Sequence, residues 1–265
     1  MNRLNQIRAL LGCFISFLCV AKAYGQFHET IRSGRPGQSI GAFTVGRGIL
    51  QVQSGIDWFG YKNEGTGLLG RGGLSNTVVR FGLTEPFEVS ALIEYRFERQ
   101  TEEGMSVPLS GWSALDVGMR YHIFTGKGLV PNVGFQSRWR IPGMGGDYSI
   151  DQWAPRFLLV SSQQITDKVT LITNWGASWN GNSAVPQGNY TANLSYAITS
   201  KLGIFIENYG SVFRNDFDTY VDSGLAWLVN PDLQLDLLAG YGKNEGIEEY
   251  FISGGISVRT KRKSR

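Results

Sequence analysis

Residues 87–98 read Phe87-Glu88-Val89-Ser90-Ala91-Leu92-Ile93-Glu94-Tyr95-Arg96-Phe97-Glu98. Successive side chains of an extended chain point to opposite sides, so Phe87, Val89, Ala91, Ile93, Tyr95 and Phe97 share one face. Glu88, Ser90, Leu92, Glu94, Arg96 and Glu98 share the other, which is mostly charged. The same alternation recurs at 114–123, 129–141, 169–180, 190–198 and 233–241. With less regular copies it predicts twelve strands: 48–60, 73–83, 87–98, 112–123, 129–141, 152–164, 169–180, 188–197, 202–211, 219–229, 233–242 and 249–259.

The connectors alternate in kind. Thr84-Glu85-Pro86, Thr125-Gly126-Lys127-Gly128, Ile165 to Lys168, Ile198 to Lys201 and Asn230-Pro231-Asp232 read as tight turns. The intervening links 61–72, 99–111, 142–151 and 181–187 are longer and rich in Gly, Asn, Ser and acids. A soluble sandwich also has one apolar and one polar face, so alternation does not decide which face looks inward. Aromatic placement does. Trp58, Trp139, Trp153, Trp179, Tyr190, Tyr241 and Tyr250 gather on the apolar face beside the longer links, and Phe87, Tyr121 and Trp227 lie near the tight turns. Two aromatic girdles around an aliphatic band, with strands of bilayer-spanning length, predict an all-β fold: a transmembrane antiparallel up-and-down barrel over 48–259 with both termini periplasmic.

Composition agrees. The chain has 265 residues, 35 of them glycine, with 42% hydrophobic and 18% charged residues, and nothing after residue 25 approaches the ~20 apolar residues of a membrane helix. Residues 1–25 read as a secretory signal peptide: Arg3 and Arg8, the apolar run Leu10 to Val20, then the small-residue site Ala23-Tyr24-Gly25. Both cysteines, Cys13 and Cys19, fall in this leader, so the mature chain is expected to lack thiols. Residues 26–47 contain Gly34, Pro36, Gly37 and Gly41 with little strand pattern, and read as a loose periplasmic lead-in in preference to a partial plug inside the lumen. A basic tail occupies 260–265. Between leader and tail, 18 basic residues face 22 acidic ones, which gives nucleic-acid binding no support.

Several short motifs resemble, in order along the chain, the outer-membrane barrels assigned to the MetA-pathway of phenol degradation. They are Arg35-Pro36-Gly37-Gln38-Ser39, Phe43-Thr44-Val45, Gly48 and Gln51 to Gly55, Val79-Arg80-Phe81-Gly82-Leu83-Thr84 with Phe87-Glu88, Asp116-Val117-Gly118 with Arg120-Tyr121, Gly203 to Glu207, and Asp222-Ser223-Gly224. The chain departs from that pattern at Gly34, Gly46 and Gln53, where the family usually has Asp, Pro and Glu. The resemblance implies the outer membrane of a Gram-negative-type bacterium. It also implies a passive channel or transporter component for small organic solutes, aromatic ones included, with outer-membrane lipid and the assembly machinery as partners. A closed structural barrel without transport is the alternative, and an outer-membrane hydrolase is a third reading.

The polar face supplies the candidate pore-lining residues: Arg80, Glu88, Glu94, Arg96, Asp116, Arg120, Arg138, Arg140, Arg156, Glu207, Asp222 and Asp236. Either these charges orient a passing solute or they interlock across strands and fill the lumen. Hairpin counting places Glu94 opposite Asp116, with Arg80, Arg96 or Arg120 bridging them. Of the two mature histidines, His28 lies in the lead-in and His122 ends a strand at the periplasmic rim, where a hydrogen-bonded structural role fits better than catalysis. No metal site or cofactor is expected, and Glu245, Glu248 and Glu249 read as a solvated loop.

Overall fold

The structure is a computed structural model that describes residues 29–214, 216–244 and 246–260. The expected leader with its two cysteines, His28, Glu245 and the tail after Thr260 lie outside the described residues.

Twelve strands follow in chain order: β1 (Leu50–Asn63), β2 (Leu68–Gly82), β3 (Phe87–Glu102), β4 (Met105–Phe124), β5 (Asn132–Arg140), β6 (Ala154–Gln164), β7 (Val169–Ser178), β8 (Gln187–Ala197), β9 (Leu202–Phe213), β10 (Asp216–Asn230), β11 (Leu233–Asn244) and β12 (Ile247–Arg259). Each pairs antiparallel with its neighbours in the chain, and β1 pairs with β12 from Gln51↔Arg259 to Asn63↔Ile247, which closes the barrel. Closure leaves no open edge, the condition under which a sheet can cross hydrocarbon.

The apolar face is the outer one. Ile56, Trp58, Val117, Leu159, Trp175, Ile206, Leu237 and Ile252 are all exposed. A continuous apolar wall of this kind is far beyond what a water-facing surface carries, and lipid is the solvent that fits it. Outward aromatics brace one another across strands: Trp58 against Phe97 at 5.8 Å, Tyr95 against Trp112 at 5.2 Å, and Phe157 between Trp139 and Trp179. The barrel therefore spans a membrane.

Two expected loops are strand instead. Residues expected as the links 61–72 and 99–111 continue the ladders out to Asn63↔Leu68 and Glu102↔Met105, and Gly104 at φ +81° makes the tight turn of the second hairpin. Polar composition misled the reading because a strand that has left the hydrocarbon is held by its ladder hydrogen bonds and needs no apolar face. The segments 141–153 and 179–186 remain long, the first containing a 3₁₀ turn at Gly146–Tyr148.

The loose lead-in is a correction as well. Residues 32–45 run inside the barrel, and their backbone is hydrogen-bonded to inward side chains of strands on every side. Without secondary structure of its own, the segment has free backbone groups, and a wall of Asn, Gln, Ser and carboxylates satisfies them. Such a partnership leaves no periodic trace in the sequence.

Candidate functional site: the lumen and its internal segment

Arg35 is the most heavily bonded residue of the internal segment. Its Nε donates to Asp236 Oδ1 at 3.2 Å, Nη1 to Asn76 Oδ1 at 3.0 Å and Nη2 to Ser253 Oγ at 2.8 Å. The guanidinium lies flat on the wall where Gly55 pairs with Gly255, and a Cβ on Gly55 would fall 2.3 Å from its Cζ. Two residues on, Gly37 turns the segment at φ +90°, against Glu207. Glu207 then accepts Gln38 N at 2.5 Å and Ser39 N at 2.8 Å.

The next residues are clamped in turn. Asn174 uses both ends of its amide on Ile40, accepting from N and donating to O, each at 2.9 Å. Ser162 Oγ accepts Ala42 N at 3.0 Å, and Ala42 packs with Leu158, Val160 and Ile40 in a small apolar core within the lumen. His122 is buried and bonded at both nitrogens: Nδ1 to Ala42 O at 2.9 Å and Nε2 to Thr125 Oγ1 at 2.8 Å, with Phe43 stacked on its ring. A carbonyl only accepts, so Nδ1 carries the proton and Nε2 receives the threonine hydroxyl.

The twelve predicted lumen residues form separate groups rather than one network. Arg80 is bidentate to Glu88, Nε to Oε1 and Nη2 to Oε2, both at 2.8 Å, and Glu88 also accepts Val45 N. Arg120 Nε lies 3.6 Å from the same carboxylate, and its Nη1 donates to Phe43 O at 3.2 Å. Arg96 pairs with Glu98 of its own strand at 2.6 Å and lies over the Phe59 ring.

Glu94 does not face Asp116. The β3–β4 hairpin turns at Glu103-Gly104 rather than across a loop of 99–111, so Glu94 pairs with Ala114 beside a bulge at Ser113 and accepts from Ser113 Oγ at 2.6 Å, while Asp116 sits opposite Leu92 and Arg140. None of Arg80, Arg96 or Arg120 bridges the two acids. Arg140 turns outward to bond Tyr148 O at 2.5 Å. Tyr148 belongs to the loop 141–153, and burial, with the nearby Glu98 charge second, pushes its phenol up to about 12. Arg138 and Arg156 are directly opposite each other on β5 and β6. Asp222 is opposite Glu207, and Asp236 holds Arg35.

Reading the sequence for charge missed the uncharged clamps, Asn76, Ser162, Asn174 and Ser253, although strand parity alone puts each on the polar face. Arg35 had no such signal, lying in a stretch without period. Gln53, at a departure from the family pattern, donates to Ser33 Oγ at 2.7 Å and lies against Gly34, the site of another departure. The two altered positions are neighbours in space. Among the described residues no group of three or more His, Cys, Asp or Glu side chains is arranged to hold a metal.

Residues 33–260 match the family model for the MetA-pathway of phenol degradation. The chain belongs to that family. Its fold is shared with an outer membrane channel from Pseudomonas putida F1, at a TM-score of 0.67 and 10% identity over 87% of this chain and 100% of that one. The translocator domain of the autotransporter NalP from Neisseria meningitidis is similar at a TM-score of 0.54 and 12% identity, covering 86% and 90%. The KdgM porin in complex with disordered oligogalacturonate gives 0.52 and 10%, covering 78% and 99%. At these identities the likeness is one of fold. Comparison with curated proteins gives no match.

Proposed function

We propose that this chain is a passive channel of the outer membrane of a Gram-negative-type bacterium for small organic solutes, non-enzymatic, with the segment 32–45 as its internal closure. The observation that carries the reading is a pair of cavities separated by that segment. One, of about 420 Å³, opens beside Arg35, Pro36, Ser39 and Phe43 against β6 to β10. The other, of about 220 Å³, is lined by Gln38, Asp57, Phe59, Tyr209, Tyr220 and Phe251. Residues of the one stretch 35–39 border both, which supports its reading as the partition.

A barrel built only as a wall needs no cavities on both sides of a hydrogen-bonded partition. The aromatic lining of the second cavity suits ring solutes, which agrees with the family's label and with the names of fold relatives described as a channel and a porin. The twelve charged residues then line the path, Glu207 and, through Arg35, Asp236 holding the partition and the others bordering it.

The experiment is uptake of radiolabelled one-ring aromatic solutes into proteoliposomes. A variant lacking residues 32–45 is expected to admit them faster than the full chain, and both faster than empty liposomes. Equal uptake by the deletion variant and by empty liposomes, with the barrel folded by heat-dependent gel mobility, would overturn the reading in favour of a closed structural barrel.

A further inference from the structure

The inward arginines of β5 and β6 present an unsolved electrostatic problem. Arg138 and Arg156 are direct cross-strand partners, and their outward neighbours on the strands include the exposed Trp139, so both point into the lumen. Like charges placed directly opposite each other destabilise a sheet. Neither guanidinium makes an ion pair or hydrogen bond with a described residue, and the Nε of each is buried without a partner. Arg140 is one step further along β5. The carboxylate on the adjoining β4 is Asp116, opposite Arg140, and its Oδ1 is also without a partner, while Glu88 and Glu94 one strand further are bonded to Arg80 and Ser113. Arg138 and Arg156 thus stand together with no carboxylate bonded to either.

The opposite wall carries the reverse sign. Across a closed ring of twelve strands, β5 and β6 look toward β11 and β12. That side and its flanks hold Asp57, Glu207, Asp222, Asp236 and Glu249, of which Arg35 takes Asp236. β5 and β6 therefore carry only positive charge and β9 to β12 with Asp57 mostly negative charge, with the mixed acids and arginines of β2 to β4 between them. Tyr209 and Tyr220 stack at 5.2 Å with their planes 10° apart, on β9 and β10, two residues along from Glu207 and Asp222.

We infer that Arg138 and Arg156 form a docking site for the carboxylate of a small aromatic acid. Two planar guanidiniums on adjacent strands match a carboxylate in fork geometry and replace the missing counter-charge. The acidic wall repels the same group and so orients it, leaving the ring to the tyrosine stack and to Phe59 and Phe251. Gly118 makes room: a Cβ there would lie 2.8 Å from Arg138 Cγ, so the arginine stem rests across β4. Use of the site in transport rests on the channel reading above, whereas occupancy does not.

The test is calorimetric titration of the folded full-length chain in detergent with benzoate. Saturable binding is expected, weakened at least tenfold in Arg138→Gln/Arg156→Gln and unchanged in Arg71→Gln, which alters an exposed arginine toward the outer end of β2. Arg156→Lys keeps the charge without the fork and is expected to fall between. Without benzoate the double Gln variant should melt no lower than wild type, because a repulsion has gone, and each single Gln variant serves if the double does not fold. No binding by the wild type, full binding by the Gln variants, or equal binding of inorganic phosphate would overturn the assignment. Conductance of the variant lacking 32–45 separates the two readings: binding without current removes the channel and leaves the site, and current without binding does the reverse.

Discussion

Truncating Arg35 to alanine removes three side-chain hydrogen bonds at 3.2, 3.0 and 2.8 Å and leaves Asp236 without its cation. The Arg35 side chain is 13% exposed and that of Asp236 fully buried, so the pair is of the kind whose one-sided removal costs about 3–5 kcal/mol. Water can enter the space vacated in a polar lumen and rehydrate Asp236, which argues for the lower end, about 3 kcal/mol. The β1–β12 wall keeps its ladder, so the loss falls on the docking of the internal segment rather than on the barrel. At about 1.4 kcal/mol per tenfold, the undocked population should rise roughly 100-fold. In planar-bilayer recordings this reads as a higher open probability, with the open level matching that of the variant lacking residues 32–45. The barrel's heat-dependent gel mobility should stay as in wild type. An Arg35→Ala channel with wild-type open probability, beside a deletion variant that opens, would refute the assignment of Arg35 as the pin.

Three further outcomes are expected. Gly55→Ala should act in the same direction as Arg35→Ala, since its new Cβ would lie 2.3–2.5 Å from the Arg35 guanidinium and displace it; open probability measures this. Glu88→Ala should destabilise the barrel by about 3–5 kcal/mol in denaturant titrations, because it strips both Arg80 and Arg120 of their carboxylate in a buried setting. Val117→Arg should cost about 2–4 kcal/mol in the same assay if the residue lies near the bilayer midplane, whereas an unchanged midpoint would reverse the inside-out assignment.

How much could be read in advance depended on whether a feature repeats. The run Phe87 to Glu98 states the strand period, the apolar face and the polar face at once, and the same statement recurs around the barrel. Strand number, closure and the outward placement of Trp58 and Val117 followed from it. Features set by single contacts did not follow. The β3–β4 hairpin turns at Glu103-Gly104, short of the centre of the expected 99–111 loop, and this displacement, only partly undone by the bulge at Ser113, separates Glu94 from Asp116. The segment 32–45 is ordered by side chains far away in sequence, such as Asn174 and Glu207, and alternation is silent about such partners. The polar face identified the charged residues, but which arginine meets which acid depends on side-chain reach across strands. Sequence pairing therefore suggested a bridged cluster at Glu94, whereas the bidentate pair is Arg80 with Glu88.

The central claim is that the barrel holds a continuous path closed by its own residues 32–45. Planar-bilayer recording of the full chain beside the variant lacking those residues tests it most directly. The account predicts small or rare openings for the full chain and a stable, larger conductance for the deletion variant. A deletion variant that folds and inserts yet passes no ionic current would contradict it.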